Sequence, residues 1–287
     1  MKFFSYLRDG RAGLGCAFED ATHRGWCEGD AAYPGTLLQV LQRGPQALIG
    51  LEQGLRSAPL LDLSAVEFLP PLVPPKIICA GLNYAEHTAE SHYKQPAHPT
   101  LFGRFNTGLA AHRQAMLRPF LSETLDYEGE MAVVMGRGGR HIAKDEALSY
   151  VAGYSVFNDG TVREYARQTT QWTLGKNFDR TGGFGPYFVS ADALPLGGRG
   201  LRIMTRLNGQ VMQDGNTSDM IFDVATLIST ISAVITFEPG DVIATGTPAG
   251  IGASRKPPVF LKAGDVCEVE IERIGVLVNP IIDEVAR

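Results

Sequence analysis

The segment that decides the fold reads LDYEGEMAVVMG over residues 125–136. Acidic side chains occupy every second position, at Asp126, Glu128 and Glu130, and an apolar run then begins. Alternate side chains of a β-strand share one face, so the pattern predicts a strand that carries these carboxylates together. Crowded carboxylates repel one another unless a cation lies between them, which favours a bound divalent metal. From spacing alone, an edge strand with Glu128 and Glu130 in solvent is an equal alternative.

A third acidic element is VFNDG at 156–160, where Asp159 ends a predicted strand and therefore lies at the rim of a sheet. Sheet rims are common ligand sites. Carboxylate oxygens from Glu128, Glu130 and Asp159 suit a hard cation, Mg²⁺ or Mn²⁺, and leave positions open for water and a chelating substrate. The absence of neighbouring His or Cys argues against zinc.

Composition narrows the function classes. The chain has 287 residues, 44% of them hydrophobic, which is enough to bury a substantial core. The net charge of −5 gives no basic surface for nucleic acid or an anionic membrane, so a small soluble ligand is the expected partner. No apolar run reaches the ~18 residues of a membrane span, and the N-terminus lacks a signal-peptide core, so we expect a cytoplasmic protein.

The cysteines give no sign of a metal site or a disulfide framework. They are widely scattered and include no CxxC pair. We therefore predict that all of them are reduced and mostly buried. They are Cys16, Cys27, Cys79 and Cys267.

A proline-rich segment divides the chain. PPLVPP at 70–75 cannot continue a helix or a sheet interior, so residues 1–70 are predicted to form a small N-terminal α+β domain and residues 76–287 a second domain. In the first we expect strands at 2–7, 14–18 and 65–69 and one helix at 36–55.

The second domain is predicted to be mainly β-structure. Asn208-Gly209 indicates a hairpin, and 33 glycines with 17 prolines imply many turns. Helices are expected only at about 84–93, behind Asn83 as N-cap, and at 222–237. The fold class is therefore α+β, predominantly β. Strands are expected at 76–81, 131–135, 153–157, 201–207, 242–245 and 266–271.

The residues His87 and Glu90 lie three apart on a predicted helix and therefore on one face. Glu90 would hold the imidazole in one tautomer while His87 removes a proton from water. A surface pair that only adds helix stability is the alternative.

Three further residues could contact a substrate. Lys176, in GKNF, would offer a positive donor, although most lysines lie at the surface. Thr247, in GTPAG, follows a predicted strand in a tight loop whose amides could hold a carboxylate. Arg104 suits a carboxylate clamp or, equally, a structural ion pair.

Together these elements resemble the fumarylacetoacetate hydrolase family. The similarity runs from about residue 76 to the C-terminus, with the motifs in the family's order. They are GLNYAEHTAE (81–90), LDYEGEMAVVMG (125–136), GYSVFNDGTVRE (153–164), GKNFDRTGGFGP (175–186), TRLNGQVMQDGNTSDMIF (205–222) and EPGDVIATGTPAGIG (238–252).

The resemblance implies a mixed β-roll catalytic domain, usually a homodimer, that uses Mg²⁺ or Mn²⁺ and acts on 2-oxo acids with a further carbonyl group. It implies Glu128, Glu130 and Asp159 as metal ligands, His87 and Glu90 as the catalytic dyad, Lys176 as the active-site lysine and Thr247 as a substrate contact. One position departs. Similar proteins commonly carry Gln seven residues after the metal-binding Asp, whereas this chain has Ala166. Either Gln168 or Gln171 supplies the contact, or the pocket takes a different substrate tail.

The sequence thus predicts a metal-dependent hydrolase that cleaves a carbon–carbon bond in an acylpyruvate-like 1,3-dicarbonyl compound. Decarboxylation of an oxaloacetate-like acid, or isomerisation of an unsaturated 2-oxo diacid, is the nearest alternative, because each begins by polarising the same 2-oxo acid. A non-catalytic metal-stabilised β module is the remote one.

Overall fold

A computed structural model describes residues 1–91 and 94–285, which form mostly strands and short helices. In these ranges the strands are β1 (Lys2–Arg8), β2 (Arg11–Ala17), β3 (His23–Cys27), β4 (Glu67–Phe68), β5 (Ile77–Gly81), β6 (Thr100–Gly103), β7 (Leu109–Ala110), β8 (Met116–Arg118), β9 (Leu125–Asp126), β10 (Gly129–Met135), β11 (Val151–Asn158), β12 (Thr161–Val162), β13 (Gly182–Phe184), β14 (Phe188–Ser190), β15 (Arg202–Leu207), β16 (Gln210–Asn216), β17 (Val242–Ala244), β18 (Val266–Ile271) and β19 (Gly275–Asp283). The α-helices are α1 (Leu37–Gln42), α2 (Pro45–Ile49), α3 (Leu51–Arg56), α4 (Ala85–Glu90), α5 (Arg163–Ala166), α6 (Thr173–Lys176) and α7 (Val224–Ser232).

Two mixed sheets build the molecule. In the described residues, the larger has the order β3-β2-β1-β14-β11-β10-β17-β5-β6, with β4, β7 and β13 attached at its side. The smaller has the order β16-β15-β18-β19-β8, and β9 pairs with β12. Most pairs are antiparallel, whereas β17 runs parallel to β5 and β19 to β8. The predominance of strands confirms the predicted α+β, predominantly β class.

The N-terminal strands share the larger sheet with the rest of the chain. Lys2 lies opposite Val189 and Phe3 opposite Phe188 in the β1–β14 pair. The boundary at 70–75 between residues 1–70 and 76–287 stays a prediction.

Strand β10 is buried along its whole length, so both of its faces meet apolar layers. Met131 and Val133 pack with Val269 of the smaller sheet and with α7, whereas Ala132 and Val134 face the layer of α1–α3. Alternation of side chains across the strand explains this division. The alternative of an edge strand facing solvent is therefore wrong.

The predicted helix at 36–55 is wrong as one element, because it is broken into α1, α2 and α3. Gly44 has a φ of 94°, and Pro45 begins the next helix because its ring cannot continue the previous one. Thr36 caps α1 with its side chain, which accepts a hydrogen bond from Gln39 N. The predicted helix at 222–237 is shorter at both ends. Asp223 caps α7 by accepting from Thr226 N, and Phe237 pairs with Gly139 in a β-bridge instead.

The helix that carries the dyad is also shorter than predicted. Helix α4 ends at Glu90, and Tyr93 lies outside the described residues. Asn83 is not its N-cap, because Tyr84 holds that position. The Asn83 amide instead donates to Thr245 O at 2.7 Å and Phe222 O at 3.0 Å, so it ties three segments together.

Several other predictions are confirmed. Each predicted strand has a counterpart within a few residues, and Asn208-Gly209, with φ of 52° and 79°, turns β15 into β16. All four cysteines are free and buried.

Within residues 1–91 and 94–285, no helix has the length and apolar character needed to cross a membrane.

Candidate metal centre and active site

Sheet register brings three carboxylates together. Gly129 of β10 pairs with Asn158 of β11, and Asp159 N donates to Glu128 O at 2.8 Å, so Asp159 lies beside Glu128 and Glu130. Each of the three acidic residues offers an oxygen, and these oxygens lie within 4.8 Å of one another. All three residues are at least nine-tenths buried. The three residues could therefore hold a metal ion through oxygen ligands.

Basic side chains neutralise part of this charge. Lys176 Nζ lies 2.5 Å from Glu128 Oε2 and 2.5 Å from Asp159 Oδ2. Arg163 Nη1 contacts Glu128 Oε1 at 2.7 Å, and Arg104 pairs with Asp159. In the described part of the chain, no basic side chain forms an ion pair with Glu130. Its carboxylate accepts the Gly246 N–H at 2.8 Å.

The uneven compensation changes the acidities. Burial alone would raise the pKa of Glu128, but the charges of Lys176 and Arg163 outweigh it and lower that pKa. Burial and the neighbouring charges of Asp159 and Glu128 raise the pKa of Glu130 well above its usual value. The cluster therefore lacks positive charge beside Glu130. A divalent cation fits that deficit and the oxygen donor set.

The loop after β17 completes the site. Gly246 has a φ of 98°, and a side chain there would lie 2.7 Å from Asn83 Cβ, so glycine is required for the amide to face Glu130. Thr247 Oγ1 donates to Gly129 O at 2.8 Å and accepts from Gln213 Nε2 at 2.7 Å. These bonds fix the loop against β10.

The predicted dyad forms. His87 Nδ1 lies 3.0 Å from Glu90 Oε1 on α4. Glu90 also accepts from Gly250 N at 2.9 Å and from Ser254 Oγ at 2.8 Å. Burial would raise the pKa of Glu90, but these bonds and His87 hold it below its usual value. A fixed carboxylate on Nδ1 leaves Nε2 as the nitrogen able to exchange a proton with a ligand.

One cavity of about 340 Å³ is lined both by His87 of the dyad and by the three carboxylates. Its lining includes six residues predicted from the sequence, whereas Glu90 and Arg104 do not belong to the lining. The six are His87, Glu128, Glu130, Asp159, Lys176 and Thr247.

The contacts of Arg104 are those of a structural ion pair. Its side chain is buried, pairs with Asp159 and donates to Gly160 O at 3.0 Å and Gly108 O at 3.2 Å. Asp126 likewise lies outside the group of convergent carboxylates, and it pairs with Arg163.

Sequence reasoning missed Arg163, Arg167 and Ser254. Arg163 and Arg167 line the cavity, and Ser254 positions Glu90. The placement of Arg163 four residues after Asp159 was the available signal. Ala166 lines the cavity, whereas Gln168 and Gln171 do not belong to its lining. That arrangement favours a different substrate tail over a shifted glutamine.

A predominantly β-strand fold thus carries a buried acidic cluster that could hold a divalent cation. Residues 76–282 match the model of the fumarylacetoacetate hydrolase C-terminal domain. The chain belongs to the fumarylacetoacetate hydrolase family. The expected family membership is confirmed.

Three known proteins illustrate the range of similarity. One relative is the mitochondrial oxaloacetate tautomerase Fahd2a of Rattus norvegicus, which is 41% identical over 256 residues. The matched region covers 88% of this chain and 82% of the relative. The structure of a fumarylacetoacetate hydrolase from Exiguobacterium antarcticum matches with a TM-score of 0.86 and 37% identity, over 99% of this chain and 100% of that one. A 5-carboxymethyl-2-hydroxymuconate delta-isomerase from Mycobacterium smegmatis matches with a TM-score of 0.77 and 27% identity, over 99% and 100%.

Proposed function

We propose that this enzyme interconverts the enol and keto forms of an oxaloacetate-like 2-oxo acid with the help of Mg²⁺ or Mn²⁺. The observation that carries the proposal is that His87 lines the same cavity as Glu128, Glu130 and Asp159. Similarity to an oxaloacetate tautomerase and to an isomerase favours this reaction over carbon–carbon hydrolysis, the main expectation from the sequence.

Glu128, Glu130 and Asp159 are the proposed metal ligands. When bound, the divalent ion supplies Lewis-acid polarisation of the 2-oxo acid. Lys176 holds Glu128 and Asp159 in place through its two ion pairs. Its buried positive charge would also stabilise the negative charge that develops on the substrate oxygen when the enol loses its proton.

His87 is the proposed proton carrier. Conversion of enol to keto moves one proton from the hydroxyl oxygen to carbon, so the reaction needs a base and an acid but no co-reactant. The Nδ1 nitrogen is occupied by Glu90, and His87 can receive and return the proton through Nε2. Glu90 stabilises the imidazolium that forms between the two transfers.

Arg163 is proposed to bind the inner carboxylate of the substrate. It lines the cavity, and its Nη2 atom is buried with no hydrogen-bond partner among the described residues. Its other nitrogens hold Asp126 and Glu128. Since a buried donor without an acceptor is costly, a substrate oxygen at Nη2 would satisfy it. Thr247, whose hydroxyl is already engaged, would contact the substrate edge.

Hydrolysis of an acylpyruvate-like compound is the second candidate. The His87–Glu90 pair favours it, because the same imidazole could remove a proton from water. Decarboxylation would use the same substrate end.

A product assay separates these reactions. The metal-loaded protein is mixed with oxaloacetate enol or with an acylpyruvate, enol loss is followed by ultraviolet absorbance, and products are identified by mass. Faster enol loss at unchanged mass supports tautomerisation. Release of CO₂ or of two carbon fragments, or a rate equal to that of buffer with the same metal, contradicts it.

We also propose a homodimer. Two neighbouring segments carry exposed apolar side chains, namely Phe120 and Leu121 after β8 and Ile282 and Val285 at the end of β19. The segments lie side by side, because β8 pairs with β19 and Phe120 N donates to Glu284. A partner subunit would bury them. Light scattering that gives the mass of one chain would contradict this. A cytoplasmic location stays a prediction; the rat relative is named as a mitochondrial protein.

A further inference from the structure

The basic side chains that line the cavity differ in what holds them. Lys176 is occupied by Glu128 and Asp159. Arg163 is occupied by Asp126 and Glu128, apart from one nitrogen on the buried floor. Both positive charges are therefore largely matched by carboxylates of the protein.

Arg167 is the exception. It lines the cavity and is exposed, so it lies at the mouth, whereas the carboxylates are buried in the interior. Its backbone N–H caps α5 by donating to Arg163 O at 3.1 Å. In residues 1–91 and 94–285 its guanidinium forms no ion pair and no hydrogen bond to a side chain or carbonyl. The mouth thus has a positive charge with which no side chain of the described residues forms an ion pair.

Besides Arg167, the polar side chains of the described lining are either neutral, as are Ser91, Thr161, Trp172 and Thr247, or belong to ion pairs already described and to the carboxylate cluster. Leu82, Phe102 and Ile251 line the cavity with apolar surface, and Ala166 presents a methyl group. A substrate tail with a carboxylate would therefore gain most from Arg167.

We propose that Arg167 binds the second carboxylate of a 2-oxo diacid and so determines specificity for diacids over 2-oxo acids with neutral tails. The inference rests on the proposed tautomerase function, in which the 2-oxo acid end lies at the carboxylate cluster. The inner end meets Arg163 and the tail reaches Arg167 at the mouth. Guanidinium suits this task because its planar donors match a carboxylate.

The test compares two probes that share the 2-oxo acid end. Oxaloacetate carries a second carboxylate, and phenylpyruvate carries a neutral ring. For Arg167→Gln we expect KM for oxaloacetate enol to rise about tenfold, the size typical of a charge-assisted hydrogen bond, while kcat and both constants for phenylpyruvate stay within about twofold. Arg167→Lys should recover part of the loss. Arg140→Gln, an exposed arginine outside the cavity, is the matched control and should change neither substrate.

Calorimetric binding of both acids to the Mn²⁺-loaded protein separates the two proposals. If neither probe is turned over but Arg167→Gln still weakens oxaloacetate binding alone, the tautomerase function fails and the role of Arg167 stands. Equal losses for both probes, or no loss for oxaloacetate in either kinetics or binding, would overturn the role of Arg167 whatever the reaction.

Discussion

Asp126 and Arg163 form a buried ion pair in which Oδ2 lies 2.8 Å from Nε. Asp126 also accepts from Gly252 N at 2.8 Å and from Ala253 N at 2.9 Å. The pair therefore anchors the loop that follows Thr247, and it turns Arg163 toward Glu128 on the cavity floor. Its contribution is to position the site rather than to bind a ligand.

Asp126→Asn should lower the free energy of unfolding by about 3 kcal/mol, because the largely buried Arg163 charge then keeps only Glu128 of its two carboxylate partners. Asp283→Asn is the matched control. Asp283 pairs with Arg118 at 2.6 Å but is 52% exposed, so its loss should cost less than about 1 kcal/mol. Urea unfolding of both variants measures the difference, and equal losses would show that burial of the Asp126 pair has no special weight.

His87→Asn should reduce the rate of enol–keto conversion by at least about 100-fold, because the amide can bond Glu90 but cannot carry a proton at neutral pH. Mn²⁺ affinity should stay unchanged, since His87 is not one of the carboxylate ligands. His141→Asn, at an exposed histidine, should leave the rate unaltered. A His87→Asn enzyme with full activity would show that another group moves the proton.

The sequence was sufficient to predict the parts of the site that depend on local pattern. The alternating pattern predicted that Glu128 and Glu130 share one face, and both line the cavity. The three-residue spacing of His87 and Glu90 predicted their contact, and His87 Nδ1 lies 3.0 Å from Glu90 Oε1. Asp159 was predicted from its position at the end of a strand, which the β11 boundary at Asn158 confirms.

Long-range pairing could not be predicted in the same way. Asp126 has the same alternating spacing as Glu128, yet it pairs with Arg163, which lies 37 residues away. Only the fold shows which carboxylates Arg163 contacts. The Glu90 carboxylate is held by a hydrogen bond from the hydroxyl of Ser254, which lies 164 residues later in the chain. Helix lengths failed for a local reason, because Gly44 and Pro45 end a helix that apolar spacing alone would continue.

His112 should make stability fall in mild acid. Burial, with a smaller effect from the Arg113 charge, lowers its pKa from 6.5 to about 4, and its Nδ1 accepts from Val278 N at 3.1 Å. The folded state therefore binds a proton more weakly than the unfolded chain. This stability is fully present above about pH 6.5 and is lost as the pH falls toward 4, by roughly 2 kcal/mol after allowing for partial solvent screening.

His112→Asn tests this effect, because the asparagine oxygen can accept the same Val278 N–H without gaining a proton. The free energy of unfolding is measured at pH 7 and pH 5 for the wild type and the variant. The loss between the two pH values should be smaller in the variant, whereas His98→Asn, at an exposed position, should behave like the wild type. Parallel losses in all three proteins would exclude His112 as the source.

Titration of Mn²⁺ into the chelator-treated protein, followed by calorimetry, tests the central claim that Glu128, Glu130 and Asp159 hold one divalent ion. We predict one ion per chain, with affinity at least about tenfold weaker in Glu130→Gln and unchanged in the exposed control Glu123→Gln. Since no basic side chain among the described residues pairs with Glu130, the metal-free Glu130→Gln protein should remain folded and be no less stable than the wild type. No uptake by the wild type, or equal uptake by wild type and Glu130→Gln, would contradict the account.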